Sequence, residues 1–307
     1  MSNNTINSYE IIQEIGKSTT SIIYKAYDKE SNRQVRIKRL IPSESIKRDI
    51  VKIKSYVDIS HPNLCSVHAV EKFEDTYIII SDFVDGYTLQ EIILTKNYTR
   101  VEILNLLLQI SKGLSQLHKN NLYHGNLKLS NIVIDEHNTV ILVDAGLSPF
   151  DDFQNSPEFY APYIATHYLS PEQIQNEPMS LQTDFFVLGI IAYRLLLGQL
   201  PFAGNNEEEL LNSISHDNPD FSNIGEGPQS RLIELFLGKL LSKKKFYRFT
   251  NNSELIATLQ EIINCDDSFE PIPDDAEKMT NPRKYLIVSV ILLIFMVLWV
   301  VGAYIYK

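Results

Sequence analysis

The stretch YHGNLKLSN, residues 123–131, brings a histidine, two amides and a lysine together in one short segment. Asn126 lies near its centre, Lys128 follows, and Asn131 ends it. An amide has no group that titrates near pH 7, so Asn126 cannot accept a proton. The stretch therefore has the polar side chains of a reactive loop but lacks a carboxylate that would act as its base.

The composition of the whole chain is that of an ordinary globular protein. Of its residues, 44% are hydrophobic and 21% are charged. Its length of 307 residues is enough for one large domain or two small ones. The formal net charge is −10 and there is no basic stripe, so we predict no nucleic-acid partner. Cys65 and Cys265 are far apart and lack metal-ligand spacing, which favours reduced thiols in a cytosolic setting.

Hydrophobic periodicity divides the chain into two parts. From residue 9 to about residue 90, alternating apolar and polar residues predict strands, and one segment, RDIVKIKSYVDI, has a helical pattern. Beyond this point the helical period dominates. We therefore predict a bilobal α+β fold, with a β-rich small lobe (9–84), a helical large lobe (88–262) and a ligand cleft between them. Residues 1–8 are polar and are predicted to be disordered.

The C-terminal part of the chain has a different character. Residues 263–284 are acidic and contain three prolines, which predicts a linker. Residues 285–306 are 22 residues without a charge, and a helix of that length spans about 33 Å against a bilayer core of ~30 Å. We interpret this segment as a membrane-spanning tail anchor; a buried core helix is the alternative. Arg283 and Lys284 precede it and no signal peptide is visible, which favours a cytoplasmic main domain.

Several motifs, in order along residues 9–262, resemble those of the eukaryotic-type protein kinase family. A single glycine motif is weak evidence, but motifs in this number and order are specific. YHGNLKLSN resembles the catalytic loop of the serine/threonine-type members. The other matching segments are IGKSTTSIIYKA at 15–26 (glycine-rich loop), VRIK at 35–38 (lysine strand), HPN at 61–63, DAG at 144–146 (metal-binding motif), SPE at 170–172, TDFFVLG at 183–189 and YRFT at 247–250.

The resemblance implies a site for ATP and Mg²⁺ between the lobes. Lys38 would contact the α- and β-phosphates and Lys128 the γ-phosphate, while Asp144 and Asn131 would hold the metal ions. The other nucleotide-cleft residues that it implies are Gly16, Ser18, Ser21 and Ile23 in the glycine-rich loop, Arg36, the gatekeeper Ser81, the hinge residues Asp82 and Val84, and Val133. In the large lobe, Asp184 would brace the catalytic loop and Arg248 would pair with Glu172.

Departures from the family pattern fall on several catalytic parts. Asn126 replaces the catalytic aspartate and so removes the proton acceptor, and general-base catalysis contributes roughly 10² to 10⁴ in rate. Gly125 replaces the arginine that pairs with an activating phosphate in the family. Lys52 occupies the position of the glutamate that would position Lys38, so two lysines would face each other.

Two further departures lie in the small lobe. Ser18 and Ser21 replace glycines that allow the backbone to approach phosphates closely. Arg36 replaces the alanine that covers the adenine ring, and strand alternation places it on the same face as Lys38. Its side chain would fill the adenine pocket or stack on a bound base; the other interpretation is that it extends from the rim into solvent.

Together these observations predict a tail-anchored, single-pass membrane protein with a catalytically impaired kinase-like domain. Such a pseudokinase would act as a signalling scaffold or regulator for protein partners. Binding of ATP and Mg²⁺ stays open, because the metal ligands are present while Arg36 and the loop serines oppose nucleotide binding. The alternative is a weak or atypical active serine/threonine kinase, because the cleft lysines and the metal ligands remain.

Overall fold

The computed structural model describes residues 5–18, 20–42, 46–147 and 166–265, except for the side chains of residues 46–49. In these ranges the strands are β1 (Thr5–Ile6), β2 (Tyr9–Lys17), β3 (Ser21–Asp28), β4 (Arg33–Leu40), β5 (Val67–Phe73), β6 (Thr76–Asp82), β7 (Gly86–Thr88), β8 (Ile132–Asp135) and β9 (Val140–Leu142). The helices are α1 (Ile46–Ile53), α2 (Leu89–Ile92), α3 (Arg100–Lys119), α4 (Pro171–Ile174), α5 (Leu181–Leu197), α6 (Glu207–His216), α7 (Pro228–Leu240) and α8 (Asn252–Asn264).

The small lobe is an antiparallel sheet in the order β1-β2-β3-β4-β6-β5. Alternation of side chains gives this sheet two different faces. Val35 and Ile37 of β4 are buried on one face, where they pack with two isoleucines of β6. Ile79 lies on the other face, in a separate apolar cluster with α1, and pairs in the register with Lys38. Arg36 and Lys38 therefore project from the face that borders the cleft.

The large lobe is built around α3. Thr99 caps this helix: its Oγ1 accepts the backbone N–H of Glu102, and the Glu102 carboxylate accepts the backbone N–H of Thr99 at 2.7 Å. Helix α5 packs against α3 and is buried over most of its length, as expected for a helix that is apolar on every face. A Cβ atom on Gly113 would lie 2.8 Å from the carbonyl oxygen of Asn63, so glycine allows α3 to approach the HPN turn closely.

A second sheet, in the order β7-β8-β9, lies on the large-lobe side of the cleft. A short 3₁₀ turn, Leu129–Asn131, leads into β8, and Asp144 follows β9. The backbone N–H of Val143 donates to the carbonyl oxygen of Asn131 at 3.0 Å, which holds the two ends of the hairpin together. The hairpin thereby brings both predicted metal ligands to one place.

The structure confirms the predicted bilobal α+β fold. It differs at the N-terminus, where Thr5–Ile6 pair with β2 and the Asn7 amide donates to Glu71 at 2.8 Å, although residues 1–8 were predicted to be disordered. Helix α8 continues past residue 262 to Asn264. No helix within the described ranges is long and apolar enough to cross a bilayer. The predicted span at 285–306, and the predicted linker from residue 266 onwards, lie outside those ranges.

Candidate active site

A cleft of about 370 Å³ separates the small-lobe sheet from the β7-β8-β9 sheet. This volume lies within the range of small-molecule binding pockets. Most of the site residues predicted from the sequence lie along its walls. They are Gly16, Ser18, Ser21, Ile23, Arg36, Lys38, Val84, Lys128, Asn131, Val133 and Asp144.

Arg36 and Lys38 both contact Asp144 at the back of this cleft. The two terminal nitrogens of Arg36 donate to the two carboxylate oxygens of Asp144, at 2.8 and 3.1 Å. Lys38 Nζ donates to Asp144 Oδ2 at 2.9 Å. All three side chains are largely buried, with exposed fractions of 10 to 13%. The carboxylate that was predicted to hold a metal ion is thus held by two cations.

The charges in this cluster shift the pKa of Asp144. Burial alone would raise that pKa, but Arg36 and Lys38 outweigh the effect and hold it well below its usual range. An ionised carboxylate accepts hydrogen bonds at about four lone-pair positions, and three of them are used here. The cluster is therefore a satisfied ion network rather than an open ligand.

The position of Arg36 decides against one of the two interpretations of the sequence. Its side chain does not extend from the rim into solvent but turns inward to Asp144. Alternation along β4 correctly placed Arg36 beside Lys38. Ser81, the predicted gatekeeper, is buried and lines a smaller cavity behind Arg36 instead of the cleft itself.

The glycine-rich loop is closed on itself by Ser18. The Ser18 hydroxyl oxygen accepts the backbone N–H groups of Thr20, at 3.2 Å, and of Ser21, at 3.1 Å. The backbone N–H of Ser18 donates to the Ser21 carbonyl at 2.8 Å. In such loops the backbone N–H groups donate to phosphate oxygens, and here the Ser18 hydroxyl oxygen accepts from them instead. The sequence analysis missed this role, although the run STTS carries the signal of a serine-stabilised turn.

The catalytic loop is held by Asp184, as the resemblance implied. One carboxylate oxygen of Asp184 accepts the backbone N–H of His124, at 2.8 Å, and Nε2 of His118, at 2.9 Å. The other accepts the backbone N–H of Gly125 at 2.9 Å. Gly125 has a φ of 68°, which glycine adopts without strain. Asn126 is buried within this well-fixed loop. The proton acceptor is therefore missing because the side chain is an amide, and not because the residue is misplaced.

Lys52 lies beside the catalytic loop. Its Nζ atom is 3.8 Å from the point that a Cβ atom on Gly125 would occupy. Lys52 and Lys38 were expected from the sequence to face each other. The structure instead pairs Lys38 with Asp144 and brings the ammonium group of Lys52 to Gly125, where the family has an arginine.

Of the two predicted hinge residues, only one is placed to contact the base of a nucleotide in the cleft. Val84 lines the cleft. Asp82 does not: its carboxylate contacts His68 Nε2 at 2.6 Å, and its backbone carbonyl accepts the thiol of Cys65 at 3.4 Å. Cleft residues that the sequence analysis did not single out include Ile15, Lys17, Phe83, Thr88, Ser130 and Val143. Several of them adjoin the quoted motifs, which is the signal that would have found them.

As they are arranged, these residues do not fit a Mg²⁺ ion. Mg²⁺ needs a near-octahedral set of oxygen ligands at about 2.0–2.1 Å. Asn131 donates its amide nitrogen to the carbonyl oxygen of Asn126 at 2.7 Å, which leaves its amide oxygen as an acceptor. Asp144, however, is bound by Arg36 and Lys38. To bind Asp144, a metal ion would have to displace the bidentate guanidinium of Arg36 from this carboxylate.

Comparisons with known proteins agree with this fold. Residues 9–263 match the family described as protein kinase domain. Serine/threonine-protein kinase PrkC of Bacillus subtilis is 27% identical over 266 residues, which cover 84% of this chain and 41% of that protein. The probable serine/threonine-protein kinase PknB of Lactococcus lactis is also 27% identical, over 84% of this chain and 42% of its own length. The chain thus spans about two fifths of the length of these relatives.

A solved structure shows the same fold. The kinase domain of Mycobacterium tuberculosis PknI superposes with a TM-score of 0.65 at 19% identity, over 85% of this chain and 98% of that one. The matched region contains the cleft, the catalytic loop and the Glu172–Arg248 pair. This chain therefore belongs to the protein kinase domain family.

Proposed function

We propose that this chain is a membrane-anchored pseudokinase that acts as a signalling scaffold or regulator through protein partners. The observation that carries the proposal is the capture of Asp144 by Arg36 and Lys38. Phosphoryl transfer depends on a metal ion that neutralises the phosphates and on a carboxylate that receives the hydroxyl proton. Here the metal ligand is engaged by side chains, and Asn126 stands in place of the base.

The two losses affect separate steps of catalysis, which is why they count together. Asn126 alone would leave positioning and charge stabilisation in place. Loss of the metal site removes charge stabilisation as well. Ser18 adds a third change, because its hydroxyl occupies the loop amides that would approach phosphates. A role in binding other proteins requires neither a metal ion, nor a proton acceptor, nor loop amides that contact phosphate.

The membrane part of the proposal rests on residues 285–306. Their length and lack of charge suit a single span, and Arg283 with Lys284 favours a cytoplasmic kinase-like domain. Membrane fractions washed with alkaline carbonate test it. We expect the full chain to stay in the pellet and Leu292→Arg/Leu293→Arg to be released, since each arginine at mid-span costs about 2.5–3.5 kcal/mol. Release of the unaltered chain would refute the anchor.

A phosphotransfer assay tests the catalytic part. The full-length chain, purified in detergent, is incubated with Mg²⁺ and γ-labelled ATP, with a generic protein substrate present. We expect the unaltered chain to transfer no more labelled phosphate than Asp144→Ala, in which the metal ligand has been removed. Clear incorporation by the unaltered chain that disappears in Asp144→Ala would overturn the pseudokinase assignment.

An active but weak serine/threonine kinase is the second candidate. Two observations favour it: the relatives are named as serine/threonine kinases, and Lys38, Lys128 and Asn131 all line the cleft. This candidate requires Arg36 to leave Asp144 when nucleotide enters. The same assay decides between the two, because only the active kinase gives incorporation that depends on Asp144.

A further inference from the structure

We propose that the cleft binds a nucleoside triphosphate without a divalent cation, with Arg36 supplying the positive charge that a metal ion would otherwise bring. The proposal rests on the proposed function in one respect, namely that Asp144 does not serve as a metal ligand. It concerns binding and not phosphate transfer, so the two stand on different measurements.

The charged side chains of the cleft are mostly cationic. Among the described residues that line it, the cationic side chains are Lys17, Arg36, Lys38 and Lys128, and the carboxylate is Asp144. The lining therefore contains more cationic side chains than carboxylates. A metal-free triphosphate carries more negative charge than its Mg²⁺ complex, so this wall attracts the free form more strongly.

The geometry of Arg36 also suits phosphate. A guanidinium has five N–H donors in a planar fork, and Asp144 accepts from two of them. The remaining donors are able to bind phosphate oxygens while the ion pair stays intact. A guanidinium stays protonated in proteins, so Arg36 keeps its charge in this position. Charge-assisted hydrogen bonds in such a buried position are among the stronger ones.

The apolar lining of the cleft suits the base of a nucleotide. Apolar side chains from both lobes also line the cleft: Ile15 and Ile23 from the small lobe, and Val133 and Val143 from the large lobe. Val84 lies between them at the hinge. Two apolar walls on either side of a slot suit a flat aromatic ring. The ligand class is therefore a nucleotide and not inorganic polyphosphate alone.

Calorimetric titration of the full-length chain with ATP tests the proposal, once in EDTA and once in excess Mg²⁺. We expect the Kd in EDTA to equal or fall below the Kd in Mg²⁺. We also expect tripolyphosphate to bind more weakly than ATP in EDTA. A Kd that is measurable only with Mg²⁺, an absence of binding in EDTA, or equal binding of ATP and tripolyphosphate would each overturn it.

Two substitutions with opposite expected effects sharpen the test. In EDTA, Arg36→Gln should weaken ATP binding about tenfold to a hundredfold, which corresponds to the loss of a charge-assisted hydrogen bond. Asp144→Asn should strengthen it, because a carboxylate that repels phosphate is removed. Weaker ATP binding by Asp144→Asn in EDTA would contradict the proposal.

A control variant separates these effects from general damage. Arg39→Gln removes a cation of the same strand that pairs with Glu74 away from the cleft, and it should leave ATP binding unchanged. Circular dichroism of each variant shows that it is folded. Asp144-dependent turnover would refute the proposed function, whereas ATP binding in EDTA that is as tight as in Mg²⁺ would still support this inference. Conversely, an absence of binding in EDTA would refute this inference and leave the scaffold role intact.

Discussion

Arg248 holds Glu172 in a bidentate ion pair, although the two residues are 76 positions apart in the sequence. One terminal nitrogen of Arg248 donates to Glu172 Oε1 at 2.7 Å and the other to Oε2 at 3.0 Å. Both side chains are almost completely buried. Burial alone would raise the pKa of Glu172, but the hydrogen bonds and charge of Arg248 lower it overall. The pair fixes α4 against the segment that precedes α8, and this part of the family pattern is complete.

We expect Glu172→Ala to reduce the free energy of unfolding by about 3–5 kcal/mol, because it leaves the guanidinium of Arg248 buried without its partner. Urea unfolding followed by circular dichroism measures the difference. The matched control is Glu234→Ala, which removes a more exposed ion pair with Arg231. Its expected effect is below about 1 kcal/mol. Equal losses in the two variants would contradict this assignment of stability to the buried pair.

We expect Ser18→Ala to tighten ATP binding about threefold to tenfold. Without the hydroxyl oxygen, the backbone N–H groups of Thr20 and Ser21 lose their acceptor and become available to phosphate, and a net hydrogen bond is worth about 0.5–1.5 kcal/mol. Titration in EDTA gives the affinity. Ser18→Thr keeps the hydroxyl and should bind as the unaltered chain does. If both substitutions gave the same affinity, the closed turn would have no part in excluding phosphate.

Restoring the catalytic carboxylate should not by itself restore catalysis. We expect Asn126→Asp to remain at background in the phosphotransfer assay, because Asp144 stays bound to Arg36. Combining it with Arg36→Ala removes the bidentate contact and leaves Asp144 with Lys38 alone, so that one carboxylate oxygen loses its partner. Relative to Arg36→Ala alone, the combination should then raise turnover by about 10²-fold, the lower end of what a general base contributes. Turnover by Asn126→Asp alone would show that the base was the only part lost.

Lys243 should make stability depend on pH. Its ammonium group donates to the carbonyl oxygen of Ile214 at 2.7 Å and lies 3.6 Å from the centre of the Phe202 ring. Burial lowers its pKa to about 7; Asp217 opposes this shift and the charge of Arg248 adds to it. Between that pH and the ordinary value of 10.5, the unfolded chain holds a proton that the folded chain has released. The contribution to the free energy of unfolding therefore rises with pH over this interval.

Urea unfolding at several pH values from 6 to 10 compares the unaltered chain with Lys243→Met. We expect the variant to be less stable overall, because the Ile214 carbonyl loses its donor, and to show a flatter dependence on pH. Lys244→Met changes the exposed neighbouring lysine and should keep the original slope. If the free energy of unfolding of Lys243→Met had the same pH dependence as that of the unaltered chain, Lys243 would be charged in the folded chain over the whole pH range.

The order of motifs was sufficient to predict the fold and the location of the cleft. Each motif is tied to one structural element, so Lys38, Lys128, Asn131 and Asp144 line the same cleft although they come from distant segments. Strand alternation also placed Arg36 correctly on the face of Lys38. These predictions depend on local patterns and on the chain order of a known family, and both are readable from one sequence.

The partners of these side chains were not readable in the same way. Arg36 and Asp144 are 108 positions apart, and no local pattern predicts that a guanidinium will turn towards one carboxylate. The expectation that Lys52 faces Lys38 assumed the family's ion pair with one charge reversed. Repulsion is avoided because Lys38 has Asp144 within reach and Lys52 extends to the catalytic loop. Long-range choices between alternative partners depend on packing, which periodicity does not contain.

The contact between Arg36 and Asp144 also has a mechanical consequence. Arg36 belongs to a strand of the small lobe, and Asp144 follows the last strand of the hairpin in the large lobe. The ion pair therefore fastens the two lobes to each other across their junction, and opening them would separate buried opposite charges. A domain fastened in this way resists a change in the relative orientation of its lobes.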